Sequence, residues 1–285
     1  MIFIPQALTD TWLQEDIYGG DVTTRALGIG DIPGRIIFCH REGGCVSGIV
    51  AGRQMLCALG LSVTTLACDG ERVAPGQALL TASGCAAALH QGWKAVQNVL
   101  EWSCGVSGYL SDMLAVLRQR HPDGHIACTR KVIPGTKLLA TQAVIAAGGL
   151  IHRAGCAETV LLFANHRRFL ANNQAWRDIV DRLRRAAPEK KIVVEADTPD
   201  EAMAALAAAP DLIQLDKFTP DQALQVAKQA AMTAPDCSLA LTGGITSATL
   251  PEYLDCGIRL FVTSAPYYAT PADIGVRLIP ENSTQ

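Results

Sequence analysis

The amino-acid sequence predicts an α/β protein: an N-terminal α+β sandwich domain with an antiparallel sheet, followed by an incomplete α/β barrel of about six parallel strands. From about Cys128 onward, short apolar runs alternate with helical patterns, which is typical of parallel βαβ units. Each apolar run ends in polar or charged residues, as strands do at the catalytic rim of a β/α barrel. Before residue 110, short strand patterns are divided by glycine turns, which favours an antiparallel sheet.

The chain has 285 residues, of which 49% are hydrophobic and 18% are charged, and this composition suits two well-packed domains. We expect the sandwich domain to cover residues 1–110 and the catalytic barrel to cover residues 111–270. The tail, residues 271–285, is long enough to pack back on the sandwich domain.

Charge and cysteine content narrow the class of protein. A net charge of −3 leaves no global basic field, so we expect no nucleic-acid partner. The longest apolar stretch, Leu138–Ile151, is too short to span a bilayer, so we expect no membrane partner. Ten scattered cysteines form no C-x-x-C pair or zinc pattern, and residues 1–5 lack the basic start of a signal peptide. These features predict a cytoplasmic protein with reduced cysteines.

In the first domain the strand patterns are short and bounded by glycine. They predict strands at Arg35–His40 and Cys45–Val50, and the segment Val73–Leu80 contains a Pro75-Gly76 turn that leads into another strand. Two helices are predicted next, at Ala88–Gly105 and Ser107–Arg120. A turn at Pro122-Asp123-Gly124 then leads into the barrel.

In the barrel domain, capping residues mark where helices begin. Thr198 and Thr219 each precede a proline, and a Glu or Gln follows three residues after the threonine, which indicates capping boxes. A further helix is predicted from Thr246 or Ser247, after the Gly243-Gly244 turn. The six predicted strands are His125–Arg130, Thr159–Phe163, Lys191–Glu195, Leu212–Asp216, Leu239–Thr242 and Leu260–Thr263.

The cations and small-residue turns at these strand ends suit an anionic, phosphate-bearing substrate. Thr129-Arg130-Lys131 offers an arginine fork and a lysine point charge, and His152-Arg153 follows a glycine turn. A surface basic pair and a helix-end charge are the alternative interpretations. Thr242-Gly243-Gly244 and Thr263-Ser264 offer backbone N–H groups to phosphate, although a glycine pair is also a common simple turn.

Two carboxylates, Glu195 and Asp216, end neighbouring strands, each after an apolar run. Buried carboxylates are rare unless they are paired or metal-bound. They are candidates to hold Mg²⁺ with a substrate phosphate, or to stabilise a cationic transition state. The alternative is an ion pair with Lys217 or Arg130. Together with the cations, the carboxylates suggest departure of pyrophosphate from a sugar carbon through an oxocarbenium-like centre.

In this order, the motifs resemble the quinolinate phosphoribosyltransferase family, also called nicotinate-nucleotide pyrophosphorylase (carboxylating). The resemblance runs nearly end to end, with Glu15-Asp16, Gly20–Thr24, Asp69–Val73, Pro75-Gly76 and Pro134-Gly135 beside the strand-end residues. It implies an N-terminal sandwich, an incomplete barrel, Mg²⁺ as cofactor and phosphoribosyl diphosphate as co-substrate. It also implies a homodimer in which Lys94, on the helix before the barrel, reaches into the partner's site.

We therefore expect three groups of functional residues. The catalytic residues are Glu195, Asp216 and Lys131, and the two carboxylates also bind Mg²⁺, directly or through water. The substrate-binding residues are Lys94, Arg130, Lys131, Lys137, His152, Arg153, Phe163, Lys217, Thr242, Gly243, Gly244, Thr263 and Ser264.

Several positions depart from the family pattern. Lys94 stands where the family has arginine, Phe163 where it has lysine, and Lys217 where it has asparagine. The change at Phe163 removes a partner for a substrate carboxylate, a loss of about 1.5–3 kcal/mol. Unless Lys217 or Lys137 compensates, a dicarboxylate binds poorly and a less acidic, more apolar ring is favoured.

These departures resemble the ModD branch of the family, which is associated with molybdenum transport. The segments that carry this second resemblance are Gly92-Trp93-Lys94, Pro134–Lys137, Asp216-Lys217-Phe218 and Thr263–Tyr267. The branch resemblance implies the phosphoribosyltransferase scaffold and its cations, and it leaves the acceptor substrate open.

Three functions follow as hypotheses. The first is a Mg²⁺-dependent phosphoribosyltransferase, a pyrophosphorylase acting on an aromatic or heterocyclic acid related to quinolinate. The second is the carboxylating enzyme itself, which uses quinolinate in NAD biosynthesis. The third is a non-catalytic protein, linked to molybdenum uptake, that binds an oxyanion or a phosphorylated metabolite. Glu195 and Asp216 argue against the third, because carboxylates repel an anion unless Mg²⁺ is present.

Overall fold

The computed structural model of the chain describes residues 2–281, and the end of the predicted tail, residues 282–285, lies outside the described residues. The chain divides into two compact units. Within the described residues, the first unit comprises 2–111, 132–148 and 266–281, and the second comprises 112–131 and 149–265. None of the helices within residues 2–281 combines the length and apolar character that crossing a membrane requires.

Helices and strands are numbered in chain order. The helices are α1 Gln6–Ile17, α2 Val22–Leu27, α3 Ile49–Ala58, α4 Ala86–Arg120, α5 Lys137–Ala146, α6 Ala164–Arg167, α7 Trp176–Ala186, α8 Pro199–Ala207 and α9 Pro220–Thr233. The strands are β1 Pro33–His40, β2 Gly44–Cys45, β3 Ser62–Thr65, β4 Arg72–Val73, β5 Gln77–Cys85, β6 His125–Cys128, β7 Leu150–Ile151, β8 Val160–Leu162, β9 Ile192–Ala196, β10 Leu212–Asp216, β11 Ser238–Thr242, β12 Leu260–Thr263 and β13 Ile274–Pro280. Two 3₁₀ helices cover Leu250–Cys256 and Ala265–Tyr268.

The first unit is built on a four-stranded antiparallel sheet with the strand order β13-β1-β5-β3. Alternate side chains of β1 are buried, and Ile36 and Phe38 are fully enclosed, as the two-residue period of a strand requires. β13 pairs with β1 so that Ile36 lies opposite Leu278. The N-terminal antiparallel sheet predicted from the glycine-bounded strands is confirmed.

The prediction of a strand at Cys45–Val50 is wrong. Only Gly44–Cys45 forms a strand, and α3 begins at Ile49. Gly48 adopts a φ of 90° at the helix start, and the Asp69 carboxylate accepts a hydrogen bond from the Ile49 N–H at 2.9 Å. Because this cap comes from a residue far along the chain, the local sequence pattern does not contain it.

The prediction of two helices, one ending at Gly105 and the next starting at Ser107, is also wrong. Ala86–Arg120 forms the single helix α4, which has 35 residues. Gly105 does not end the helix. It allows the close approach of the segment at Thr270, because a Cβ there would lie 2.6 Å from the Thr270 carbonyl oxygen. The Ser107 hydroxyl donates a hydrogen bond out of the helix, to the Cys45 carbonyl at 2.6 Å. Tertiary contacts therefore hold the helix together across the glycine.

The second unit is a curled, incomplete barrel of seven parallel strands, with the strand order β7-β6-β12-β11-β10-β9-β8. The predicted incomplete parallel barrel is confirmed. The strand count is seven and not six, because β7 has two residues and is too short to produce an apolar run. β7 and β8 are the two ends of the sheet and do not pair with each other.

Residues 152–159 join β7 to β8, and no helix lies in this connection. Two consecutive parallel strands are usually joined by a crossover of a dozen or more residues that includes a helix. The connection from β7 to β8 is shorter, so no crossover helix covers the gap between these two end strands.

The predicted capping boxes differ in completeness. At Thr219 the hydroxyl accepts from the Gln222 N–H at 3.3 Å, and Gln222 Oε1 accepts from the Thr219 N–H at 2.9 Å, so the box is complete. At Thr198 the hydroxyl accepts from the Glu201 N–H at 3.2 Å. The Glu201 carboxylate, however, accepts hydrogen bonds from Arg167 and from the Asp197 N–H, and not from the Thr198 N–H that would complete the box.

The prediction of a helix from Thr246 or Ser247 is wrong, because the helix is a 3₁₀ helix that begins at Leu250. The Thr249 hydroxyl accepts from the Thr246 N–H at 2.9 Å, and the Thr246 hydroxyl accepts from the Thr249 N–H at 3.2 Å. Threonine side chains that satisfy the backbone in this way compete with the first helical turn.

Candidate active site

The carboxyl ends of the barrel strands place the predicted carboxylates and one glycine turn on a single edge of the second unit. Glu195 of β9 lies beside Gln214 of β10, and Asp216 at the end of β10 lies beside Thr242 of β11. Gly243-Gly244 follows directly after β11. Because the strands are parallel, their carboxyl ends share one edge, which we call the barrel rim.

Glu195 is the titratable group at the barrel rim with the clearest change in acidity. Its Oε2 atom accepts a hydrogen bond from Gln214 Nε2 at 2.9 Å. The pKa of Glu195 is raised to about 7, first by burial and then by the neighbouring carboxylates of Asp216 and Asp197. The Gln214 hydrogen bond and the charge of Lys131 act in the opposite direction. A carboxyl group in this state favours a positive charge nearby, because a cation restores its ionised form.

The ion pair between Asp216 and Lys217, which the sequence offered as an alternative to a functional role, is present. Lys217 Nζ lies 3.3 Å from Asp216 Oδ2, but 78% of the Lys217 side chain is exposed, so the pair contributes little stability. Lys217 has a φ of 58°, and its N–H donates to the Thr242 carbonyl at 2.8 Å. A non-glycine residue in this left-handed region is strained, and such strain concentrates at functional sites.

Gly243 allows the turn after β11 to approach the carboxylate of β10. Its φ is 81°, and a Cβ there would lie 2.5 Å from Asp216 Oδ1 and 2.5 Å from Lys217 Cγ. No side chain fits at that distance. Gly244 has the same φ, but no heavy atom within 4 Å opposes a Cβ there. The first glycine is therefore required by close contact, and the second only by its backbone conformation.

A cavity of about 360 Å³ opens at the barrel rim, and we call it the rim cavity. It is lined by Phe163, Ala164, Asn165, Arg168, Glu195, Asp197, Asp216 and Lys217. Within residues 2–281 no cluster of three or more His, Cys, Asp or Glu side chains suits a metal ion. Mg²⁺ usually takes one or two protein carboxylates and completes its shell with phosphate and water. The pair of carboxylates at Glu195 and Asp216 fits a Mg²⁺ site of this kind, in which protein and substrate both supply ligands.

His152 and Arg153 follow β7. Arg153 is buried, its guanidinium lies 5.5 Å from the centre of the Phe163 ring, and its pKa is lowered by burial and by Arg130. The pKa of His152 is lowered by burial and then by Arg153, so its imidazole is neutral at pH 7. His152 therefore offers a hydrogen-bonding ring, while Arg130 and Arg153 supply the positive charge.

Other predicted site residues are held within their own units. In the second unit, the Thr263 hydroxyl donates to the Ile245 carbonyl at 2.6 Å, which ties it to the backbone, and Ser264 is half-buried. In the first unit, Lys94 is exposed on α4, donates to Gln97 Oε1 at 2.8 Å and lies 4.4 Å from the centre of the Trp93 ring. Lys137 is the exposed first residue of α5.

Gln214 and Asp197 contact or perturb Glu195 but were not predicted from the sequence. Gln214 is 4% exposed, and its Oε1 atom has no hydrogen-bond partner within residues 2–281. A signal for Gln214 was present, since a glutamine interrupts the apolar run of β10. Asp197 follows the end of β9 and carried no comparable signal.

Comparisons with known proteins agree with this architecture. Residues 21–104 match the family model of the quinolinate phosphoribosyl transferase N-terminal domain, and residues 108–277 match that of its C-terminal domain. The chain is 66% identical to the ModD protein of Escherichia coli O6:H1 over 283 residues, which covers 99% of this chain and 100% of that protein. It is 31% identical to the nicotinate-nucleotide pyrophosphorylase [carboxylating] of Mycobacterium leprae, with 93% and 94% of the two chains covered.

A solved structure of similar fold is the nicotinate-nucleotide pyrophosphorylase from Francisella tularensis. Its TM-score is 0.86 at 21% sequence identity, and the match covers 97% of this chain and 98% of that chain. At this identity the likeness supports the fold alone.

Proposed function

The chain belongs to the quinolinate phosphoribosyltransferase family, and we propose that it transfers phosphoribose from phosphoribosyl diphosphate to an aromatic or heterocyclic acid related to quinolinate. A ring nitrogen of the acceptor forms a bond to C1 of the ribose. The C1–O bond to pyrophosphate breaks, and the electron pair leaves with pyrophosphate. We propose that the reaction depends on Mg²⁺ and takes place in the cytoplasm, where the ten free thiols of the chain remain reduced.

The observation that carries this proposal is the Glu195 and Asp216 pair at the barrel rim. Positive charge develops on the ribose as pyrophosphate departs, and carboxylates placed beside it stabilise the transition state. Because the pKa of Glu195 is raised, its ionised form is unfavourable on its own and is stabilised when a cation approaches. Mg²⁺, when bound, neutralises charge on the departing pyrophosphate.

The cations near β7 supply the complementary function, which is to bind anionic groups. Arg130 and Arg153 offer guanidinium forks to phosphate or carboxylate oxygens. Burial of Arg153 increases the strength of such a contact, because the local dielectric is lower than in water. The charge of Lys131 lowers the pKa of Glu195, so the cations and the carboxylates interact electrostatically.

Calorimetry with phosphoribosyl diphosphate tests the donor site. We expect binding that strengthens with Mg²⁺ and that weakens about tenfold or more in Glu195→Ala and Asp216→Ala. Asp236→Ala, which removes an exposed carboxylate elsewhere in the second unit, is the matched control and should bind like the wild type. Binding of molybdate without Mg²⁺, and none of phosphoribosyl diphosphate, would instead support the oxyanion-binding hypothesis.

A second candidate function is the quinolinate reaction itself. The observation that favours it is that Lys217 lines the rim cavity together with Phe163, so a replacement charge is available for the second carboxylate. Phe163→Lys distinguishes the two candidates when pyrophosphate release is measured with quinolinate. If Lys217 compensates, the variant changes little; if it does not, activity with quinolinate rises about tenfold or more. Phe169→Lys, at a phenylalanine that is 93% exposed, is the control for adding a lysine to the same unit.

A further inference from the structure

The open gap in the barrel adjoins a second, larger cavity in the same unit. Within residues 2–281, β8 pairs with β9 on one side and with no strand on the other, and residues 152–159 supply no covering helix. A cavity of about 1080 Å³ lies against β8 and α7, and we call it the seam cavity. This volume is at the upper end of the range for pockets that enclose drug-sized ligands, whereas the rim cavity is near the lower end.

The seam cavity combines apolar walls with an excess of positive charge. Leu161 and Leu162 of β8 and Ile179 of α7 contribute apolar surface. The charged lining consists of four cations and one carboxylate: Arg130, Arg153, Arg182, Lys190 and Asp178. A cavity with this composition suits an anion that also has an apolar body.

Phe163 and Asn165 line both cavities, so the two cavities are neighbours at the end of β8. The Phe163 ring has the Arg153 guanidinium 5.5 Å from its centre and the His166 ring stacked at 5.6 Å. Arg153 is buried and has no carboxylate partner within residues 2–281. The Phe163 ring can contact the ring of an aromatic acid, and the buried guanidinium beside it can bind the acidic group.

We propose that the seam cavity binds the acceptor, and that the acceptor is an aromatic monoacid with an apolar part larger than a single pyridine ring. Its acidic group contacts Arg153, its ring lies against Phe163, and its apolar part extends between β8 and α7. The proposal rests on the proposed phosphoribosyl transfer, and it replaces a small dicarboxylate with a larger and less charged compound.

The same cavity is less suited to a protein partner. β8 has only three residues, so it offers few backbone groups for an added strand. The cation excess also selects an anionic occupant, which favours a small acid over a second copy of this chain.

Binding is tested with 8-anilinonaphthalene-1-sulfonate, a probe with an aromatic body and one anionic group, by fluorescence titration of the full chain. We expect saturable binding of one probe per chain. Ala171→Trp, at an exposed residue that lines the seam cavity outside the helices and strands, should weaken binding about tenfold. Ala204→Trp, the same change at an exposed alanine of α8 outside this cavity, should leave it unchanged.

Acceptor size is tested by pyrophosphate release with pyridine-3-carboxylate and with its ring-fused analogue isoquinoline-4-carboxylate. In both monoacids the ring nitrogen lies between two C–H groups and at the same position relative to the acid, so the main difference is the added apolar ring. We expect the fused acid to be preferred at least tenfold in kcat/KM, and this preference to disappear in Ala171→Trp. Binding of phosphoribosyl diphosphate, measured by calorimetry, should be unchanged in that variant.

The outcomes separate the two proposals. If phosphoribosyl diphosphate binds but the two acids react equally well, or Ala171→Trp has no effect, the assignment of the seam cavity is overturned and phosphoribosyl transfer stands. If phosphoribosyl diphosphate does not bind at all, the transferase proposal fails and the acceptor role fails with it. If the wild type excludes the probe, and Ala171→Trp converts a dimer to a monomer in sedimentation, the cavity is an interface and not an acceptor site.

Discussion

Glu195 shows how one half-buried residue connects stability to the proposed function. Its folded-state pKa is about 7, above the ordinary value of 4.5 for a glutamate, so the folded protein binds more protons than the unfolded chain between these two pH values. The free energy of unfolding therefore falls as pH rises through this window. In the proposed reaction, the same environment would make Glu195 respond strongly to a cationic substrate centre.

The first prediction concerns the stability of Glu195→Gln. Glutamine does not ionise, so this variant should be more stable than the wild type at pH 8, by roughly 1–2 kcal/mol after allowance for solvent screening. At pH 5, close to the pKa of the unfolded chain's carboxyl, most of this difference should be lost, because the folded carboxyl is then protonated and the unfolded one is only partly ionised. Urea unfolding at both pH values measures it. Asp236→Asn is the control, and an equal gap at pH 5 and pH 8 would contradict the prediction.

The second prediction separates close contact from backbone strain at the glycine turn. Gly243→Ala places a methyl group against Asp216 and Lys217. Gly244→Ala forces an alanine into the same positive φ, but its methyl group meets no neighbouring atom. Gly244→Ala should cost about 1 kcal/mol of stability, and Gly243→Ala about 1–2 kcal/mol more. Gly243→Ala alone should also weaken binding of phosphoribosyl diphosphate. Equal stability losses in the two variants would show that the close contact between residue 243 and Asp216 does not contribute to stability.

Among the elements, α6, α7 and α8 are joined by one buried cation. The Arg167 side chain of α6 is 4% exposed, and its NH2 nitrogen lies 2.9 Å from both carboxylate oxygens of Glu201 in α8. Its guanidinium lies 4.4 Å from the centre of the Trp176 ring in α7. Glu201 Oε2 also accepts a hydrogen bond from the Asp197 N–H at 3.1 Å, one residue before the Thr198 N-cap, so the capping box is left incomplete.

The third prediction is that Glu201→Ala destabilises the protein by about 3 kcal/mol, because it leaves a buried guanidinium without its counter-charge. Asp200→Ala is a matched control, since both acids lie in the first turn of α8 and interact similarly with the helix dipole. Thermal and urea unfolding of the two variants give the comparison. A similar loss in both would mean that the helix dipole, and not the buried pair, accounts for the effect.

At the level of the whole molecule, we propose a homodimer in which Lys94 of one chain serves the site of its partner. Mixing two inactive variants tests this proposal. If Lys94→Ala and Glu195→Ala are refolded together, half of the dimers are mixed, and each mixed dimer has one intact site, so about a quarter of wild-type activity returns. Activity that stays at the level of the separate variants would place Lys94 and Glu195 in the same chain's site, or exclude Lys94 from the site.

Sequence periodicity predicted much of the fold where each element has a long local signal. The apolar runs of β9 to β12 were predictable because each is a buried parallel strand bounded by polar residues. The two-residue β7 had no such run, and α3 depends on a cap from Asp69, twenty positions along the chain. Elements defined by distant contacts leave no periodic signal in their own residues.

The candidate site was predictable to a similar extent. Glu195, Asp216 and the Gly243-Gly244 turn stand at strand ends, where topology alone brings them onto one rim. Gln214 was missed because it lies inside its strand, and its role depends on the neighbouring strand that pairs with it. The seam cavity was not predictable, since it is formed by the absence of a helix between β7 and β8.

The amino-acid sequence by itself determined the alternation of strands and helices in the barrel, the family, and the residue types that stand at the ends of the barrel strands. These follow from local periodicity and from short motifs, which act over a few residues. The tertiary structure alone decided the acidity of Glu195, the contact that requires Gly243, and the open seam beside Phe163. Burial, electrostatic coupling and packing depend on distances between residues that are far apart in the chain, and those distances exist only once the chain has folded.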